Sequence, residues 1–206
     1  MLMAFDYDGV LVDSLARLLG IVRQAQALIG HGRAPREEDF RTIANLTFPA
    51  LGALLGMSAE HTPLFHSQVL ALQRQETSLP ELFPGIAQII PRLAAHSVLV
   101  VVTASARAEV ERVLEVNALT PYISQIFDGA DPRPKAAKIT AACALFAQEP
   151  ACTYMVGDTQ GDITQGKLAG VQTIGVTWGY QSSALLQIAG PDYLIDTPED
   201  MIRVVS

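Results

Sequence analysis

The sequence predicts a doubly wound α/β protein with a mostly parallel sheet and one all-helical insertion. Three observations carry this. Short β-branched or apolar runs recur at residues 2–5, 98–103, 154–156, 173–176 and 193–195, with a weaker one at 123–127, and several of them are apolar on both faces. Strands covered on both sides by helices read this way. Between them lie helical patterns such as Ile86, Ile89, Ile90, Leu93 and Val110, Val113, Leu114, spaced i, i+3, i+4. Alternation of the two kinds of segment implies a parallel sheet with helices on both faces. The third observation is a break in that alternation: from Ser14 to about Glu81 no convincing strand is found.

The elements follow in order. Residues 2–5 form a first strand that ends directly at Asp6. Residues 14–81 supply only helical faces, among them Leu15, Leu18, Leu19, Val22 and Ile29, then Leu51, Leu54, Leu55, and Val69, Leu70, Leu72. Two proline turns, Leu79-Pro80-Glu81 and Phe83-Pro84-Gly85, stop this stretch. The expected organisation is therefore an α/β core of residues 1–13 and 82–206 and a helical insertion of residues 14–81. Within the core, a helix is expected from near Ser105 and another over 136–147.

Composition narrows the function. Half the residues are apolar and 17% are charged, enough to build a core and too few charges for long disorder. The net charge is −7 with no cluster of Lys or Arg, which argues against nucleic acid or an anionic membrane as partner. No apolar run approaches the roughly 18 residues of a membrane span. Acidic residues begin at Asp6 with no basic segment ahead of them, so no signal peptide is expected. Cys143 and Cys152 make neither a metal spacing nor a disulfide framework, and His31, His61, His66 and His96 are scattered. A reduced, cytoplasmic protein is the expectation.

Chemistry gathers at strand ends. In an open parallel sheet, ligands bind outside the carboxyl ends of the strands. Asp6 and Asp8 follow the first strand, and residues two apart on extended chain point the same way. Two carboxylates so placed repel unless a cation separates them or one takes a proton. An aspartate-rich turn capping a helix is the plainer alternative. A calcium loop is excluded, because its twelfth position is Arg17 and not a Glu. A second acidic pair, Asp158 and Asp162 in Gly157-Asp158-Thr159-Gln160-Gly161-Asp162, closes the strand at 154–156. There the alternative is capping by Asp158 with a dipole contribution from Asp162. The stretch from Gly161 to Lys167 has the spacing of a phosphate-binding P-loop, but Leu168 stands where a Ser or Thr must hold Mg²⁺. Thr103, with Ala104 after it, ends the strand at 98–103 ahead of a helix, and free N–H groups at a helix start suit an anion. Lys135 opens the next helix, where a cation is disfavoured by the dipole and wants an anionic partner. Lys138, one turn on, is the competing lysine and reads as solvated.

Taken in order, Asp6-Tyr7-Asp8-Gly9-Val10-Leu11-Val12-Asp13-Ser14, Thr103, Lys135 and Gly157-Asp158-Thr159-Gln160-Gly161-Asp162 resemble the four motifs of the haloacid dehalogenase (HAD) superfamily. The insertion at 14–81 resembles its C1-type helical cap. Gly170-Val171-Gln172-Thr173-Ile174-Gly175-Val176-Thr177-Trp178-Gly179-Tyr180 resembles the phosphoglycolate phosphatase-like branch.

The resemblance implies a Rossmann-like core and a Mg²⁺-dependent phosphatase acting on a small phosphorylated metabolite. Asp6 would attack phosphorus and Asp8 would serve as acid, then base. Mg²⁺ would be held by Asp6, the Asp8 carbonyl, Asp158 and Asp162, the last directly or through water. Gly9 and Ala104 amides, Thr103 and Lys135 would hold phosphate oxygens. Arg41, Asn45 and Thr47 of the cap would meet the leaving group, although Arg41 suits a solvated helix face better. Two departures stand out: Ala104 replaces the Asn common after the Thr, and Ala136 replaces the proline common after the Lys. Asp8 sets the chain apart from true dehalogenases, whose halide needs no proton. A phosphosugar mutase of the β-phosphoglucomutase type shares Asp6 and Asp8 and stays open. A pyrophosphatase would need more positive charge than the sequence places. A phospho-receiver module has a different motif order and no helical insertion.

Overall fold

The computed structural model describes residues 1–43 and 46–205. The chain divides into two compact units, one of residues 1–13 with 79–206 and one of residues 14–78.

The first unit is built on a six-stranded sheet. Its strands are β1 (Leu2–Phe5), β4 (Val98–Val102), β5 (Gln125–Phe127), β6 (Thr153–Gly157), β7 (Gln172–Val176) and β8 (Tyr193–Ile195). They lie in the order β5-β4-β1-β6-β7-β8, and every pairing is parallel. The chain moves outward from β1 in one direction through β4 and β5. It then crosses to the far side of β1 and moves outward again through β6, β7 and β8. The order therefore reverses around β1, and that reversal opens a crevice at the carboxyl ends of β4, β1 and β6.

Alternation along β1 shows why the central strands are apolar throughout. Met3 and Phe5 join a cluster with Leu99, Val101, Val156, Ile174 and Val176. That cluster is covered by α5 (Ile86–Ala94), α6 (Arg107–Val116) and α10 (Asp200–Val205) through Ile86, Ile89, Ile90, Leu93, Val110, Val113, Leu114 and Met201. Leu2 and Ala4 point the other way, with Val100, Val102 and Met155, onto Ile139, Ala142 and Cys143 of α7 (Lys135–Leu145). Period-two side chains on a strand with two buried faces leave no room for polar residues. At about 25 cal/mol per Å² of buried apolar surface, this two-sided burial is the main stabilising term of the unit. Two more helices complete it, α8 (Gln160–Leu168) and α9 (Ser183–Ala189).

A two-residue ribbon was not visible in the sequence. β2 (Val12–Asp13) pairs antiparallel with β3 (Glu81–Leu82), and the Phe83 N–H donates to the Leu11 carbonyl at 3.0 Å. Each strand is too short to show periodicity. Further small differences concern helix starts: α7 begins at Lys135 and α6 at Arg107.

The second unit is all helical: α1 (Leu15–Ile29), α2 (Glu37–Thr42), α3 (Phe48–Leu54) and α4 (His61–Gln75). Phe40, Leu51, Phe65 and Val69 in it are fully buried. The loop before α2 is held by Arg33, whose guanidinium grips both Asp39 oxygens at 2.7 and 2.5 Å. The Arg36 N–H also donates to Asp39 at 2.8 Å. Arg33 holds the Asp39 carboxyl below the usual carboxylate range, with burial opposing. Among the described residues, no helix is long and apolar enough to cross a membrane.

Candidate active site

The sheet register sets the site. Phe5 pairs with Val101 on one side and Val156 on the other. One and two residues further on, the three chains leave the sheet together and bring Asp6, Thr103 and Asp158 to one end. The Asp6 N–H donates to the Val156 carbonyl at 2.9 Å, fixing the turn of the chain out of β1. Helices α7 and α8 then contribute Lys135 and Asp162 from their first turns.

Asp6, Asp158 and Asp162 are all buried, and each offers an oxygen within 4.8 Å of the other two. Lys135 bridges them, its Nζ lying 2.6 Å from Asp6 and 2.5 Å from Asp162. These contacts explain a cation at a helix start: the anions outweigh the unfavourable dipole. Burial works against the charge on Lys135, but Asp162 and Asp6 raise its pKa above that of a free lysine. Asp6 is pushed up to about 7 by burial, against the pull of Lys135 and with repulsion from Asp162 and Asp8. Asp158 is also held well above the ordinary carboxylate range, by burial and then by Asp162 and Asp6. One ammonium among three buried carboxylates leaves the site short of positive charge.

Asp158 has two unlike oxygens. Oδ2 accepts the Tyr180 N–H at 2.7 Å, while Oδ1 is buried with no hydrogen-bond partner. An unsatisfied buried carboxylate oxygen costs free energy unless a further group meets it. Two glycines make room for this residue. A Cβ on Gly9, whose φ is +79°, would sit 2.0 Å from Oδ2, and one on Gly179 would sit 2.2 Å from the Asp158 Cβ.

Asp162 carries the capping reading and the site reading together. Its Oδ2 accepts from the Thr159 N–H at 3.1 Å and hydroxyl at 2.6 Å, while Oδ1 takes Lys135. The helix cap itself is Thr159, which removes the alternative that Asp158 would cap. Asp158 is thereby left for the site. Asp8 lies outside the three-carboxylate group, half-buried, and the Ser105 hydroxyl donates to its Oδ2.

Thr103 is buried, its Oγ1 accepting the Ser105 N–H at 2.9 Å, with Ala104 exposed beside it. The Gly9 N–H donates to the Val12 carbonyl at 3.0 Å, so this amide is taken up within the loop. What Gly9 contributes is the absence of a side chain. Lys138 corrects another expectation: it is buried, and its Nζ donates to the carbonyls of Thr103 at 3.2 Å and Asp128 at 2.6 Å. The α7 face bearing it turns inward, which one helical turn from an equally polar residue did not reveal.

In the helical unit, Arg41 is ion-paired with Glu37 at 2.6 Å, and Thr47 caps α3 by accepting the Ala50 N–H at 3.3 Å. Asn45 lies outside the described residues. Sequence reasoning missed Tyr180, Gly179 and Ser105 as neighbours of the acids. Their signal was position alone, since 178–180 follow the end of β7 and Ser105 follows Thr103.

Buried carboxylates at a switch point, a lysine among them and a Thr at the neighbouring strand end form the acidic crevice of an α/β hydrolase. Residues 3–176 match the haloacid dehalogenase-like hydrolase family. The chain is 27% identical over 209 residues to the phosphoglycolate phosphatase of Synechococcus elongatus, covering 98% of this chain and 95% of that one. It is 30% identical over 219 residues to "Probable phosphatase IndB" of Dickeya dadantii, covering 98% and 91%. Among solved structures, a haloacid dehalogenase-like hydrolase, SP0104 from Streptococcus pneumoniae, superposes with a TM-score of 0.84 at 21% identity, over 100% of this chain and 98% of that one. The chain belongs to the haloacid dehalogenase-like hydrolase family, and within it to the phosphatases of the phosphoglycolate phosphatase-like branch.

Proposed function

We propose that the protein is a Mg²⁺-dependent phosphomonoesterase that works through a phosphoryl-aspartate on Asp6 and acts on a small metabolite of the phosphoglycolate kind. The observation that carries this reading is the buried, partnerless Asp158 Oδ1 beside Asp6 and Asp162. All three donors are carboxylate oxygens, which suit a hard cation that keeps several waters. Asp6, Asp158 and Asp162 would hold it, with the Asp8 carbonyl as a further oxygen ligand. What a bound Mg²⁺ supplies is positive charge where the phosphate oxygens lie.

The residues divide the reaction between them. An Asp6 oxygen bonds to phosphorus as the ester P–O bond breaks. The leaving alkoxide takes the proton of the Asp8 carboxylic acid. Water then attacks phosphorus, gives its proton to the Asp8 carboxylate, and releases phosphate while restoring Asp6. Lys135 and Thr103 hold the phosphate oxygens, and Lys135 also pulls the Asp6 pKa down against the effect of burial. The Ser105 hydroxyl holds the Asp8 side chain in place. Residues 14–78 act as the cap, and Arg41 would have to leave Glu37 to meet a carboxylate on the substrate. That exchange costs little, because exposed pairs contribute about 0–1 kcal/mol.

The test is phosphate release from phosphoglycolate, sugar phosphates, a nucleotide, pyrophosphate and an aryl phosphate, with and without Mg²⁺. Asp6→Asn serves as control. Mg²⁺-dependent release that disappears in Asp6→Asn supports the reading, and the ranking of esters identifies the substrate class. Release that is unaffected by chelation or by Asp6→Asn overturns it.

A further inference from the structure

The two lysines of α7 are treated very differently by the fold. Lys135 meets two carboxylates, whereas Lys138 meets none. Lys138 is 4% exposed, and both of its acceptors are main-chain carbonyls, those of Thr103 and Asp128. The acids closest in chain and charge are committed elsewhere. Asp131 is gripped by Arg133 through its Nε and Nη2, at 3.0 and 2.6 Å, and the Asp128 carboxylate faces Arg107 at 3.5 Å. A buried ammonium without a counter-charge is costly. Burial indeed pulls the Lys138 pKa below that of a free lysine, with Asp131 opposing.

A fold that keeps such a group has a use for the charge or for the tie it makes. The tie is specific. An ammonium has three N–H donors, and two of them join the end of β4 to the end of β5. The β4 end is Thr103, whose hydroxyl and following amide face the crevice in the reading given above. Behind them the two chains run close, since the Gly129 N–H donates to the Ser105 carbonyl at 2.9 Å. Of the three strand ends at the crevice, those of β4, β1 and β6, Lys138 thus grips the one that carries no charge of its own.

We propose that Lys138 is a positioning residue of the phosphate site, fixing the Thr103 peptide and lending a second buried positive charge to the anion that Thr103 and Lys135 hold. The inference rests on the phosphatase reading of those two residues. It also explains how a site with three carboxylates attracts a phosphate dianion. Asp131 and Asp128 act on Lys138 only at a distance, so the substrate's own charge adds to a weak counter-charge and offsets part of the cost of burying the amine when phosphate binds.

The experiment measures equilibrium binding of inorganic phosphate by ³¹P NMR, and KM and kcat for an aryl phosphate. It compares the Mg²⁺-loaded wild type with Lys138→Gln and Lys138→Met. Gln keeps a donor without the charge, and Met keeps the length without either, so at least one variant is expected to fill the slot and fold. A buried unit charge acting over several ångströms predicts phosphate binding and KM weakened on the order of ten-fold in both, with kcat changed much less. A purely structural lysine would lower the melting temperature and leave phosphate binding as in the wild type. Wild-type phosphate affinity in either folded variant overturns the inference. If the wild type binds phosphate but hydrolyses no ester, the reaction assigned above falls, and the comparison of phosphate binding still decides the role of Lys138.

Discussion

Gly9 lies so close to Asp158 that a single added carbon would collide with it: a Cβ at Gly9 would stand 2.0 Å from Asp158 Oδ2. The same Oδ2 receives the Tyr180 N–H, so it cannot retreat without losing that bond. Gly9→Ala is therefore expected to displace the carboxylate and to strain a backbone held at φ +79°. Misplacing a reacting group by about 1 Å costs on the order of 10²-fold in rate. A steady-state assay beside a circular dichroism spectrum checks this. A folded Gly9→Ala protein retaining half its turnover would refute the packing argument.

The crowded carboxylates make the metal-free protein sensitive to base. Asp6 titrates near 7 in the fold, and Asp158 is also raised, whereas unfolded aspartates titrate near 3.9. A carboxyl whose folded pKa is raised adds a penalty that is absent below about pH 4 and fully developed above the folded value. In chelator, Asp158→Asn should melt higher than the wild type at pH 8, and the margin should shrink as the pH falls to 5. For a chain of this size, about 2–4 °C corresponds to each kcal/mol. Added Mg²⁺ should raise the wild type and not the variant. A margin that does not depend on pH would show that the repulsion is already compensated.

Lys135 sits where a cation would otherwise compete with it. Its removal in Lys135→Gln leaves Asp6 and Asp162 without their ammonium. Two opposite effects are expected: tighter binding of Mg²⁺ by calorimetry, and turnover reduced by about 10²-fold or more through loss of charge at the phosphate. The loss of phosphate affinity should exceed that of Lys138→Gln. The reverse ranking would make Lys138 the residue that touches the anion.

Acid should loosen the helical unit through Asp39. Its carboxyl is held low by Arg33, so its contribution is full above about pH 4 and is lost as the pH falls through the folded value. Arg33 is 43% exposed and screened, so Asp39→Asn is expected to loosen the loop only modestly and to speed its cleavage. Proteolysis within 30–40 at neutral pH, followed over time, measures it. Equal cleavage rates for the two proteins would show that the bidentate pair contributes nothing.

The central strands were legible because each is buried on both faces, a pattern that runs such as 98–102 and 154–156 show as continuous apolar sequence. The acids were legible from their place after strands, since strand ends are where a parallel sheet leaves polar groups uncovered. Lys138 was misread because a helix start rich in small residues, Ala136 and Ala137, gives no periodicity to show which face turns inward. Ser105 and Tyr180 were missed for another reason. One acts by a hydroxyl and the other by a backbone N–H, groups that many residue types offer equally well.

The place of β1 in the sheet has a consequence for biosynthesis. Its four residues are fully buried, and its partners are β4 and β6, which lie about a hundred and about a hundred and fifty residues later in the chain. During translation the strand leading to Asp6 emerges with both edges open and both faces apolar, long before either neighbour exists. Non-local parallel pairing of this kind is slow and exposes nascent chains to aggregation. The segment at the centre of the finished sheet thus spends most of the chain's synthesis without the neighbours that cover it.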